Sequence, residues 1–289
     1  MVPRFREPRR RQSNSSNDEP GSPSDMGNQN SASDDGHEPS SSAPFYPGIY
    51  DVLKVRYLLR WKIIREGLPV EIVDLIVDEA EYWPSIEAAL NEKRIIHQDG
   101  DQVLARTAPL CYDPKTLGSD SPRVLPHRTR HPCRKIVFSI ASHDQGFAGS
   151  GHGTFHGSYT WFDAEVVPSA HLLASADAGS IPEPDANGIR FGQGHPLLLP
   201  SSHKLQSNRT AVRGTQHYEI TWHHLDNLDA RSVEAEEIQE NQGRGRATLD
   251  GSQVRAMQVG DVVSVWGRAR FGAWSNHVEQ LSVRVFWAV

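Results

Sequence analysis

Cysteine is scarce. Cys111 and Cys133 are the only two in 289 residues, which excludes a disulfide scaffold and a four-cysteine zinc centre. Long apolar runs are missing as well: none approaches the ~20 residues that cross a bilayer. The opening MVPRFREPRRRQ has no apolar core and does not read as a secretory leader. Nor is there a basic excess. Lys and Arg total 30 against 36 Asp and Glu, a formal charge of −6, which argues against a general nucleic-acid coat. These absences predict a protein of the cytoplasm or nucleus, not secreted, with neither membrane nor nucleic acid among its partners.

The first 44 residues hold ten Ser and six Pro and almost no large apolar side chains. Such a segment cannot bury enough surface to offset the entropy of ordering, so residues 1–44 are expected to be a disordered arm. The remaining 245 residues are enough for one large domain or for a small one plus a medium one.

From Ile49 the apolar residues fall at helical intervals: Ile49, Val52, Leu53, Leu59, Ile63 and Ile64, with Lys54, Arg56, Arg60 and Lys62 between them. Gly67 is expected to stop this helix and Pro69 to open a second one at a first-turn position. In the second, Ile72, Leu75, Ile76 and Ala80 form one face and Glu71, Asp74 and Asp78 the other. Tyr82-Trp83-Pro84 ends it. Residues 45–98 are therefore expected to be a helical module, and 99–130 a linker.

After about residue 130 the period changes from 3.6 to 2. Ile136, Phe138 and Ile140 alternate with smaller or polar residues, as do Tyr218, Ile220 and Trp222, then Val263, Val265, Gly267 and Ala269, then Leu281, Val283, Val285 and Trp287. With Gly- and Pro-rich loops between them, these runs predict a mainly β fold: an antiparallel, jelly-roll-like β-sandwich over 131–289. Long loops are expected at 168–208 and 225–252. The second carries six carboxylates between Asp226 and Glu240 and suits a short surface helix.

Motifs that carry chemistry are few. Ser142-His143-Asp144 matches a hydrolase triad only in its letters, because neighbours on a strand point alternately to opposite faces. His143, His152 and His156 share a Gly-rich stretch with Asp144, but Gly151, Gly153 and Gly157 oppose the helix that would gather them. The stretch Gly146–Gly153 lacks the Gly-Lys-Ser/Thr of a phosphate loop. No catalytic residue, metal or cofactor is assigned. Trp274, His143 and Asn276 can form a shallow ligand site at one end of the sandwich, suited to a hydroxylated ligand.

Two resemblances add to this. Leu68-Pro69-Val70-Glu71-Ile72-Val73-Asp74-Leu75-Ile76 resembles the opening of an F-box, although the rest of that motif is missing or divergent. The resemblance implies a face of Leu68, Pro69, Ile72, Leu75 and Ile76 docked on Skp1 of a cullin ubiquitin ligase. More broadly, Glu81-Tyr82-Trp83-Pro84, Ser142–Gly146, Tyr159–Phe162 and Gly260–Trp287 resemble a group of fungal proteins of unassigned activity that pair such a helix with a β-sandwich. Two functions follow. The leading one is a non-enzymatic recognition or adaptor protein whose helices bind an adaptor while the sandwich binds a protein or glycan target. The alternative is a stand-alone carbohydrate- or small-ligand-binding sandwich with purely structural helices.

Overall fold

The computed structural model describes residues 44–168 and 204–289. Apart from Pro44, the arm expected over 1–44 lies outside the described residues, as does most of the loop expected over 168–208.

Two helices come first, α1 (Ile49–Lys62) and α2 (Val70–Glu79). The backbone N–H of Gly48 donates to Asp51 Oδ2 at 2.9 Å and fixes the start of α1, and Arg60 and Lys62 complement the dipole in its last turn. The helix ends at Lys62, before Gly67. Gly67 instead makes the turn, at φ +77°, where a Cβ would lie 2.6 Å from the Arg60 carbonyl. Pro69 is the N-cap of α2, one position earlier than expected.

Nine strands follow among the described residues. They are β1 (Ser85–Ala89), β2 (Arg94–His97), β3 (Asp101–Arg106), β4 (Cys133–His143), β5 (Thr160–Val167), β6 (Lys204–Ser207), β7 (Gln216–His223), β8 (Val262–Ala269) and β9 (Ser275–Trp287). Helix α3 (Val233–Gln242) carries the acidic segment and α4 (Ser252–Ala256) precedes β8. Ser232 caps α3 through its hydroxyl, which accepts from the Ala235 N–H at 3.1 Å.

The strands form two antiparallel sheets, β1-β9-β4-β7 and β3-β8-β5-β6, and β2 adds to β9 beside β1. If β1 and β2 count as one interrupted strand, this is the eight-strand jelly-roll order. The sandwich thus begins at Ser85, not near 131. Residues 85–106, expected to be the end of a helical module and a linker, supply three strands. Each is short, and its pairing with β9 or β8, almost 200 or 160 residues away in sequence, selects the strand state.

The core lies between the sheets. Ile136, Phe138, Ile140, Leu281, Val283 and Val285 come from one side, and Phe162, Ala164, Leu205, Val263 and Val265 from the other. Phe138 and Trp222 meet edge to face at 4.8 Å. The second face of β8 is buried too, so all eight of its residues are inaccessible. There Arg268 reaches Asp163 and, at 2.7 Å, Asp101, while Arg270 meets the same Asp101 at 2.7 Å.

Asp101 holds two guanidinium groups on this face. Replacing it by Ala leaves the partly buried Arg270 without a carboxylate and the buried Arg268 with Asp163 alone, and is expected to cost ~3 kcal/mol in chemical denaturation. A loss below 1 kcal/mol would show that the cluster is hydrated and not structural.

Candidate functional site

The helical pair is attached by its acidic side. Asp78 accepts from Trp83 Nε1 at 2.8 Å and pairs with Arg128, and Asp74 lies 3.2 Å from Arg128. Arg56 of α1 meets Asp74 at 2.5 Å in ion contact, without hydrogen-bond alignment. Below Asp78, Trp83 is buried against His223 and His224. Glu81 takes Lys135 and, at 3.2 Å, His223 Nε2. The Lys135 hydrogen bond holds the Glu81 carboxyl below its usual range.

Only Val52, Val73 and Val77 of the two helices are fully buried. Ile49 and Leu59 pack partly against the core, and much of the remaining apolar content faces outward. On α2, Ile72 is 41% exposed, Leu75 64% and Ile76 40%. On α1 and the turn after it, Tyr50, Leu53, Tyr57, Leu58, Trp61, Ile63 and Ile64 are also exposed. Tyr57, Trp61, Val70 and Val73 line an open notch of about 230 Å³ between the helices, with Arg56 and Arg60 at its edge. Of the five expected docking residues, Pro69, Ile72, Leu75 and Ile76 are on the surface. Leu68 is not: it turns partly into the core.

The expected ligand residues divide differently. Asn276 is fully buried, because alternation along β9 turns it inward. It accepts from Asn208 Nδ2 at 2.9 Å and donates to the carbonyls of Trp161 and Arg268 at 3.3 Å each. Asn208 also donates to Thr160 and accepts from Ser142, so Asn276 belongs to an interior polar knot and cannot face a ligand. His143 lies on the outer side of its strand, stacked on His277 at 4.7 Å, with Nδ1 2.7 Å from the Asp144 carbonyl. Burial and the His143 charge lower the pKa of His277. Asp144 points inward and accepts from the N–H groups of Gly146, Ala211 and Val212, tying two loops together. His152 turns to the Ala148 carbonyl at 2.9 Å, and among the described residues no three ligating side chains gather as for a metal.

Trp274 is half-buried and meets Tyr159 at 5.2 Å and 90°. Phe271 meets the same Tyr159 at 4.5 Å and 77°. Composition gave no reason to single out Tyr159 or Phe271. The signal was the order Phe271-Gly272-Ala273-Trp274 at a strand end, with Tyr159 just before the paired strand β5. A separate open cavity of about 290 Å³ is lined by Phe155, Gln206, Arg209, Gln216, Tyr218 and others.

His224, at the root of the helical pair, is depressed to about 4 by burial, with the charges of His223 and Arg134 adding to it. Because its folded pKa lies below the ordinary value of 6.5, the unfolded chain takes up this proton first. Stability present at pH 7 is therefore lost as pH falls from about 6.5 toward 4. Replacing His224 by Gln is expected to flatten the decline in melting temperature between pH 7 and 5. An unchanged slope would remove His224 from the acid response.

No protein-family model, curated protein or solved structure matches this chain, so both surfaces are interpreted through their own chemistry.

Proposed function

We propose that this is a non-enzymatic recognition protein whose helical pair docks on a partner protein. The observation that carries this reading is the outward face of α2. Helix α2 turns Val73 and Val77 inward beside Asp74 and Asp78 while exposing Ile72, Leu75 and Ile76. Exposed clusters of this size in a folded domain mark interaction sites. The chemistry of the partner follows from what borders them. The exposed charges on the helices and their connecting turn are of both signs: Lys54, Lys62 and Arg65 with Glu66, Glu71 and Glu79. A partner with large apolar anchors and a rim of mixed charge suits that surface. The F-box-like order Leu68-Pro69-Val70-Glu71-Ile72 makes Skp1 the first candidate, with the sandwich carrying the target-binding surface of a ubiquitin ligase.

The test is calorimetric titration of the full chain with purified Skp1, comparing wild type with Ile72→Asp/Ile76→Asp. Both positions are exposed, so the variant is expected to fold. Wild type should form a one-to-one complex, and the variant should lose ~2 kcal/mol or more of binding free energy. Absence of binding by folded wild type would end the Skp1 assignment. A wild-type homodimer abolished by the same substitutions would reassign the face to a second copy of the chain.

A further inference from the structure

The turn joining β8 to β9 is built against backbone preference. Phe271 and Ala273 both sit in the left-handed region, at φ +63° and +71°, while Gly272 between them does not. Asp99, in the turn that carries the chain from β2 to β3, has φ +54°. Non-glycine residues reach this region at a cost, and where they cluster the surrounding structure must hold them in place.

Side chains from neighbouring loops do so. Asp99 Oδ1 accepts the Phe271 N–H at 3.3 Å, Gln98 Oε1 accepts the Ala273 N–H at 3.2 Å, and Gln145 Oε1 accepts the Ser275 N–H at 3.3 Å. The outcome is an exposed ring arrangement: Phe271 at 58% exposure and Tyr159 at 41%, with Trp274 perpendicular to Tyr159. Packing alone does not require it, since Gly at the left-handed positions would make the same connection from β8 to β9, which lie in different sheets, without strain.

We propose that this aromatic corner is a binding site for a neutral pyranose sugar. The rings present apolar surface to the C–H face of such a ligand. The second Asp99 oxygen and the Gln98 amide NH₂ are not used in the hydrogen bonds that hold the turn, and they suit equatorial hydroxyls. Ordering by three loop-to-backbone bonds lowers the entropy lost on binding. The site is independent of the helical face, so failure of either reading leaves the other standing.

The experiment is a titration of the full chain with glucose, galactose, mannose, N-acetylglucosamine and their disaccharides, followed by NMR. The Trp274 indole signal is assigned through a Trp274→Phe variant. Saturable shifts at Trp274 are expected, with Kd on the order of millimolar for a monosaccharide. Phe271→Asn should weaken binding by roughly tenfold or more. Asn tolerates the left-handed conformation, so its melting temperature should not fall below that of wild type. Tyr159→Leu gives a second, independent loss. The proposal is overturned if no sugar gives a saturable shift well above millimolar concentration, if both variants bind as wild type does, or if the shifts map to the Phe155–Tyr218 cavity.

Discussion

Strand β9 is the constraint on which the architecture depends. Its thirteen residues pair with β4 along one side and with both β1 and β2 along the other. It therefore joins the segment that follows the helices to the end of the chain. Trp287 continues the tie at its end: its backbone N–H donates to the Pro84 carbonyl and its indole N–H to Pro126. None of these contacts is local, so loop-closure entropy must be overcome before any of them stabilises the fold. The apolar alternation on β9 and β4, with Leu281, Val283 and Val285 opposite Ile140, Phe138 and Ile136, supplies the compensating burial.

The same tie explains the orientation of the helical pair. Pro84 and Ser85 are held at the end of β9, so Trp83 is driven under α2 and its indole meets Asp78. Arg128 from the segment leading into β4 and Arg134 from the start of β4 meet the acidic side of α2. Partly exposed ion pairs contribute only about 0–1 kcal/mol each. Burial of Val73 and Val77 at the same junction contributes more, roughly 1.5–3 kcal/mol per side chain. On those magnitudes the ion pairs are the smaller part of the attachment and apolar burial the larger.

Legibility in the sequence followed the range of the interactions. The jelly-roll strands β4, β7, β8 and β9 were visible because each alternates for several residues and hydropathy alone sets the period. Strands β1 and β2 were not. Ser85–Ala89 and Arg94–His97 are short, and their partners are nearly 200 residues away. The two helices were visible, but not which face of α2 would be buried, since both faces carry apolar residues and the groups that meet the inward one, Trp83, Arg128 and Arg134, lie outside the helix. Asn276 was misplaced for a simpler reason. Counted as part of the loop after Trp274, it reads as exposed, yet β9 begins at Ser275 and the pleat turns position 276 inward. The strained turn was hidden behind Gly272: a glycine suggests where positive φ should fall, and here its two neighbours carry it instead.

The geometry of β9 also separates the two surfaces. The helical pair joins the sandwich where Ser85 pairs with Phe286, near the end of β9, and the aromatic corner precedes Ser275, at its beginning. At about 3.4 Å per residue, the length of the strand places the two attachment points roughly 40 Å apart. A protein bound to the helices and a small ligand bound at the turn would then share the rigid sheet but no contact. Coupling between them would need a second arrangement of β9, and a strand paired on both sides along most of its length has no low-cost alternative register. The two recognition events should therefore be additive, which is the behaviour expected of a scaffold that joins two partners and not of a switch that trades one for the other.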